Sequence, residues 1–319
     1  MKKVLILFDE ERWGNKNLFA DKKYQHCYEY FYKLARKRGI FMCRASYQWY
    51  DSKKRIFKYA WTFQKNEWER IFNIKPDLLY DKTKFSPKVH YRKEQMAENY
   101  KIVNDIEFTL LAGHKFFASL VVPEFFKKYH KVSNLKELKE ATVKIGGEKI
   151  VLKPAIGSGG ENVIIIDKKK AANLKINKPF LVQEFIDSST GIKGITKNTH
   201  DLRLVFANNG LIYSYIRVPA KGSLLANIAK GGTMHIVPRK KIPKSVFPVV
   251  RKVQEVFSFY HPKTYTIDLM FDEKQKPWIV ELNTMPGIYF TSDQKKWQDR
   301  FYLDLIKIFK KEIESGKSI

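Results

Sequence analysis

Two short segments toward the C-terminal end constrain this chain more than anything else in it. Tyr265-Thr266-Ile267-Asp268-Leu269-Met270 reads as a strand. The turn Asp272 to Pro277 sends the chain back as Trp278-Ile279-Val280-Glu281-Leu282-Asn283, which is stopped by Thr284-Met285-Pro286-Gly287. Side chains alternate along a strand, so Glu281 and Asn283 share a face and the hairpin brings Asp268 beside them. Three oxygen donors, two of them anionic, suit a hard cation such as Mg²⁺, or Mn²⁺ in its place, bound together with phosphate oxygens. The plain alternative is an exposed polar face on an ordinary hairpin, with Ile279, Val280 and Leu282 marking its buried side.

A second segment, Val151-Leu152-Lys153-Pro154-Ala155-Ile156-Gly157-Ser158-Gly159-Gly160-Glu161-Asn162-Val163, puts a lysine at a strand end, then a glycine-rich turn, then another strand. A Walker loop and a dinucleotide fingerprint each need a following helix, so both are excluded. Glycines let backbone N–H groups converge on phosphate oxygens, and Lys153 adds a point charge beside Gly157, Ser158, Gly159 and Gly160. Read alone, the segment is a hairpin with a flexible turn.

The rest of the chain reads as α/β. A strand at Val4 to Phe8, a helix closed by Gly39, a strand at Ile40 to Ala45, an aromatic run at Ile56 to Phe63 and a strand after Pro76 form a first α/β unit. A helix around Lys115 to Val121 and a helix capped by Ser133 come next, then strand, glycine loop and strand across Ile150 to Asp167. Strand signals follow at Leu202 to Phe206, Thr266 to Phe271 and Trp278 to Leu282. An amphipathic helix near Phe301 to Ile313 reads as a packing element, and the stretches Gly191 to Asn198 and Lys221 to Gly232 read as long loops. The expected division is 1–103, 104–186 and 187–319. With 319 residues, 44% of them hydrophobic, there is ample core for each part.

The order of Lys115, Lys153-Pro154 with its glycine loop, Gln183-Glu184-Phe185-Ile186, His200-Asp201-Leu202-Arg203, Arg217, Asn227 with Lys230-Gly231-Gly232, Asp268 and Glu281-x-Asn283-x-x-Pro286-Gly287 resembles the ATP-grasp ligases. The resemblance covers about residues 100 to 290. It is strongest to the RimK-like amino-acid ligases, with D-alanine–D-alanine ligase and glutathione synthetase as relatives. It implies an ATP-grasp fold behind an N-terminal pre-ATP-grasp α/β domain, with ATP between two subdomains. Lys115 and Lys153 then lie on the phosphates under the loop Gly157 to Gly160. Gln183 and the backbone of Glu184, Phe185 and Ile186 read the adenine edge, with Asp187 toward the ribose. Arg203, Arg217, Asn227 and Lys230 border the phosphate and acyl-phosphate site, and Asp268, Glu281 and Asn283 hold Mg²⁺. Carboxylate attack on a phosphate gathers negative charge that such cations neutralise.

The implied activity is an ATP-dependent carboxylate-amine ligase that forms an amide bond through an acyl phosphate. No Cys-His pair or serine elbow suggests a covalent nucleophile, and His114 and His200, though beside site residues, read as structural. An excess of 60 Lys and Arg over 33 Asp and Glu, a formal charge of +27, favours an anionic small-molecule, peptide, carrier-protein or sugar-acid substrate. Nucleic acid is not expected, since no RNA-binding signature or Cys/His finger is present. The rival readings are an ATP-grasp kinase of a polyanionic alcohol and a non-catalytic polyanion-binding derivative. Cys27 and Cys43 suggest neither a disulfide framework nor a zinc site. No apolar run approaches a membrane span, so the expected location is the cytoplasm, with homo-oligomerisation left open. Trp49, Trp61 and Trp68 read as core, and Arg12 to Asn17 with Tyr289 to Ser292 as the candidate substrate contacts.

Overall fold

The fully buried run Val4-Leu5-Ile6-Leu7 makes β1 (Lys2–Phe8) the centre of a sheet covered on both faces. The structure is a computed structural model, and it describes residues 1–9, 19, 21–157, 160–224, 226 and 231–316. Asp21 caps α1 (Lys22–Lys37) by accepting from the Lys23 N–H. Beyond α1, Gly39 takes φ +82°, a turn that a side chain resists. β2 (Ile40–Ser46), β3 (Tyr50–Asp51), β4 (Ile56–Gln64), β5 (Glu67–Ile74), β6 (Leu78–Asp81), α2 (Pro87–Ala97) and β7 (Ile102–Val103) follow. β1 pairs in parallel with β2 and β6, and β6 in parallel with β7, while β4 runs antiparallel to β2, β3 and β5. Trp49 and Trp61 are buried in this core and Trp68 packs against it, as expected of core residues.

The next part begins with α3 (Ile106–Gly113) and α4 (Lys115–Val121). β8 (Tyr129–Val132), α5 (Leu135–Lys144), β9 (Lys149–Lys153), β10 (Ile164–Asp167), α6 (Lys168–Ala171) and β11 (Phe180–Glu184) make an antiparallel sheet in the order β10-β9-β11-β8 with its helices. The cap of α5 is Asn134, one residue beyond the expected Ser133: Asn134 accepts from the Glu137 N–H, and Ser133 instead donates its own N–H to the Glu137 carboxylate. Ile150, Leu152 and Val182 point into a core with Leu138 and Ala141 of α5. Their alternate neighbours Val151, Lys153 and Gln183 therefore face the other way.

A second sheet runs β14-β13-β12-β15-β16. Its strands are β12 (Asp201–Ala207), β13 (Gly210–Val218), β14 (Thr233–Ile236), β15 (Thr264–Phe271) and β16 (Pro277–Asn283), with α7 (Val246–Val256) between β14 and β15. α8 (Lys295–Glu314) ends the described chain.

Contacts group the chain into two compact units that are not continuous in sequence. One holds residues 1–107, 260–264 and 285–319, the other 108–259 and 265–284. The linear division at 103 and 186 misses these returns. α8 joins the first unit because its apolar stripe packs there: Phe31 meets Tyr302 at 4.7 Å and Tyr80 meets Phe309 at 5.2 Å between ring centroids. No helix among the described residues is long and apolar enough to cross a membrane.

Candidate active site

Within the second unit a cleft of about 950 Å³ opens between the face of β9, β10 and β11 and the face of β12, β13, β15 and β16. Its charged wall is built from alternation on paired strands. Asp201 lies opposite Arg217, Arg203 opposite Tyr215, and Asp268 opposite Glu281. Asn283 lies opposite Thr266, two residues further along the same face as Glu281. A bulge after Asp268 puts Leu269 opposite Ile279, which leaves Val280 unpaired between Ile279 and Glu281 and turns it toward the cleft.

Asp268 is fully buried and saturated. Its Oδ1 accepts from Arg203 Nε at 2.7 Å and from the Thr266 hydroxyl at 3.0 Å; its Oδ2 accepts from an Arg203 terminal nitrogen and from Arg217 at 2.7 Å. Glu281 is held more loosely, with Lys115 Nζ at 3.3 Å from one oxygen and Arg203 at 3.7 Å from the other. Burial alone would raise the Asp268 carboxyl, yet Arg203 and Arg217 hold it below the usual carboxylate range. Asp201, which pairs with Arg217 but competes with Asp268 for it, is pushed up by burial. Its Oδ1 and the Nε of Arg217 are buried with no hydrogen-bond partner among the described residues. Among the described residues the site thus holds an unmet donor and an unmet acceptor.

The opposite wall carries two buried lysines. Lys115 opens α4, where its Nζ donates to the Gly157 carbonyl at 2.6 Å. Lys153 ends β9, donates to the Val280 carbonyl at 3.2 Å and lies 4.8 Å from the Tyr129 ring centroid. Burial, reinforced by the nearby Lys115 charge and partly offset by Glu281, pushes the Lys153 ammonium down to about 7. Gly157 sits at φ +136°, open to glycine and strained for other residues.

Most of the residues singled out from sequence meet here. Lys115, Lys153, Gly157, Gly160, Gln183, Glu184, Phe185, Ile186, Arg217 and Glu281 line the cleft, and Arg203 and Asp268 stand directly behind them. Asp187 does not join them: it is exposed and accepts from the Ser189 N–H at 2.9 Å, capping its own turn. Ser158, Gly159, Asn227, Lys230 and the candidate substrate loop Arg12 to Asn17 lie outside the described residues. Among the described residues no group of three or more His, Cys, Asp or Glu side chains is arranged to hold a metal. The hard-oxygen set of Asp268, Glu281 and Asn283 fits Mg²⁺ in donor chemistry; Glu281 is the less committed carboxylate, and Asp268 would have to release a guanidinium contact to take the ion.

The two histidines beside the site each take up backbone groups. His200 is fully buried, accepts from the Phe271 N–H at Nε2 over 3.2 Å and lies with Nδ1 3.1 Å from the Asn198 carbonyl. His114 caps α4 and stacks on Phe117.

A family model described as an ATP-grasp domain matches residues 118–287, more than half of the chain. The chain belongs to the ATP-grasp family. Among its relatives are a probable alpha-L-glutamate ligase of Cellvibrio japonicus, 25% identical over 161 residues, or 49% of this chain and 48% of that protein. Another, from Vibrio atlanticus, is 26% identical over 152 residues, or 45% of each. The chain therefore spans about half the length of the curated relatives it matches. Solved structures share the ATP-grasp fold across nearly the whole chain. D-alanyl-alanine synthetase A from Vibrio cholerae has a TM-score of 0.66 at 11% identity, covering 98% of both chains. A D-alanine–D-alanine ligase from Bacillus anthracis complexed with ATP has a TM-score of 0.62 at 8% identity, covering 99% of this chain and 100% of that one. A RimK domain ATP-grasp protein from Sphaerobacter thermophilus has a TM-score of 0.59 at 14% identity, covering 96% and 99%.

Several groups in or beside the ATP-grasp cleft escape sequence reasoning. Lys127 pairs with Glu184 at 2.6 Å and lies 4.4 Å from the Trp278 ring centroid. Tyr129 sits by Lys153, and Leu224, Ala226, Val163, Ile165 and Met270 supply apolar lining. Alternation within β10 and β15 could have placed Ile165 and Met270; nothing local marks Lys127 in its dibasic run.

Proposed function

We propose that this ATP-grasp chain is a Mg²⁺-dependent ligase that uses ATP to join a carboxylate to an amine. The observation that carries the reading is the convergence of Lys115, Lys153, Arg203 and Arg217 on one cleft beside the Asp268–Glu281 pair. ATP would lie with its adenine edge on the backbone of Glu184 to Ile186 and its phosphates toward Lys115, Lys153 and Gly157. Asp268, Glu281 and Asn283 would hold Mg²⁺, which supplies charge neutralisation on the transferring phosphoryl group.

A carboxylate oxygen of the substrate attacks the γ-phosphorus and ADP leaves. The amine then attacks the acyl carbon, and inorganic phosphate departs as the C–N bond forms. Arg203 and Arg217 are positioned to meet the negative charge gathered in both steps, and their planar donor forks suit phosphate and carboxylate alike. Asp268 keeps those forks in place until anionic substrate arrives, and the buried walls exclude water that would hydrolyse the activated acid. Ligation of this kind agrees with the names of the probable alpha-L-glutamate ligases, and the excess of basic residues favours an anionic acceptor in the ATP-rich cytoplasm.

The test is product analysis. Purified protein with ATP, Mg²⁺ and pooled carboxylates and amines should release ADP and phosphate only when both co-substrates are present. A stable phosphorylated product formed without an amine would replace the ligase with a kinase.

A further inference from the structure

The 53 residues between Asp201 and Glu255 contain ten Lys and Arg and no Asp or Glu. Two of the ten, Arg203 and Arg217, belong to the cleft. Five others, Lys221, Arg239, Lys240, Lys241 and Lys244, are exposed, and none of the five reaches a carboxylate among the described residues. A lysine run is ordinarily a solvated face with acids interspersed. Here the segment that builds the β13–β14 edge supplies no acid of its own, and the edge carries a local excess of positive charge.

That field borders an open strand. Among the described residues β14 pairs only with β13, and Arg239-Lys240-Lys241 form a tight turn two residues after it. The Val237 N–H donates to Ser214 across the ladder. Antiparallel alternation then turns the backbone groups of Thr233 and His235 toward β13 and those of Met234 and Ile236 toward the outer edge. The outer edge makes no hydrogen bond among the described residues. Met234 lies opposite Arg217, so it occupies the sheet face that carries the cleft arginines. A further strand there would run about 10 Å from β13.

We infer that the outer edge of β14, with Arg239, Lys240 and Lys241 beside it, docks an acidic peptide in extended conformation as an added strand. The main-chain edge supplies backbone pairing and the basic turn supplies charge complementarity. A nucleic acid could satisfy the charge but has no amide ladder to offer the strand. The idea that this peptide carries the carboxylate or amine to be joined rests on the ligase reading; docking itself needs neither ATP nor turnover.

The experiment is fluorescence anisotropy of the full chain with a labelled peptide of alternating glutamate and threonine, without nucleotide. The triple variant Arg239→Ala/Lys240→Ala/Lys241→Ala should weaken binding by about tenfold or more. Ile236→Pro, which removes one outward N–H without changing charge, should weaken it as well. The same peptide N-methylated at every residue keeps its charge, loses the pairing groups of both edges and should bind the wild type poorly, a result that does not depend on any variant folding. Equal binding of the N-methylated peptide, or no effect of the triple variant, overturns the proposal. A single-stranded oligonucleotide of equal charge that binds more tightly than the peptide, and loses as much in the triple variant, also overturns it. ADP release assayed separately keeps the two readings apart: peptide binding without ligation removes the ligase and leaves the docking edge standing.

Discussion

Asp268 and Glu281 face each other across β15 and β16, and both carboxylates reach Arg203, the first through two hydrogen bonds and the second at 3.7 Å. The two acids therefore have different duties. Asp268→Asn leaves two buried guanidinium groups short of a counter-charge and should cost about 3–5 kcal/mol of stability. Glu281→Gln touches a looser, partly exposed group and should leave the melting temperature nearly unchanged while removing Mg²⁺-dependent turnover. Thermal unfolding and ADP release on the same two variants check this; equal destabilisation by both would contradict it.

Arg203→Lys keeps the charge but loses the fork that grips both oxygens of Asp268. Turnover should fall by about a hundredfold if that fork also meets the charge developing in the transition state. Steady-state kinetics should place the loss in kcat more than in the KM for ATP.

Lys153 makes the site sensitive to pH. Its folded value of about 7 lies below the roughly 10.4 of a free lysine. Between those values the unfolded chain binds the proton that the folded one has lost, so this group's contribution to stability rises with pH across the window and penalises folding below it. A phosphate beside Lys153 restores the charged form, so nucleotide binding at about pH 8 should take up close to one proton. Calorimetry in buffers of different ionisation enthalpy measures that uptake, and Lys153→Met should abolish it.

His200 should behave as a structural residue. His200→Phe strands the Phe271 N–H and the Asn198 carbonyl, each costing about 1–3 kcal/mol. Chemical denaturation should show the loss, while kcat per folded molecule stays near wild type. A selective fall in kcat would bring the imidazole into the chemistry instead.

The period of two in β15 and β16 made the alignment of Asp268, Glu281 and Asn283 legible before any coordinates, and the glycine turn after Lys153 was equally plain. Alternation says which residues share a face; it does not say which strands become neighbours. The capture of Asp268 by Arg203 joins residues 65 positions apart, and the Lys127–Glu184 pair joins residues 57 apart. Neither leaves a periodic trace. The return of α8 to the first unit was hidden for the same reason, since an amphipathic stripe shows that a helix packs without showing where. Asp187 shows how local partners escape a reading by face: leaving the hinge strand, it accepts from the Ser189 N–H two residues on.

Electron paramagnetic resonance of Mn²⁺ titrated into the protein with ADP tests the metal–nucleotide site most directly. Wild type should hold Mn²⁺ in a nucleotide-dependent signal that Glu281→Gln weakens severely and that displacement by Mg²⁺ removes. Mn²⁺ bound equally by wild type and Glu281→Gln, or bound without regard to nucleotide, would contradict the assignment of this cleft.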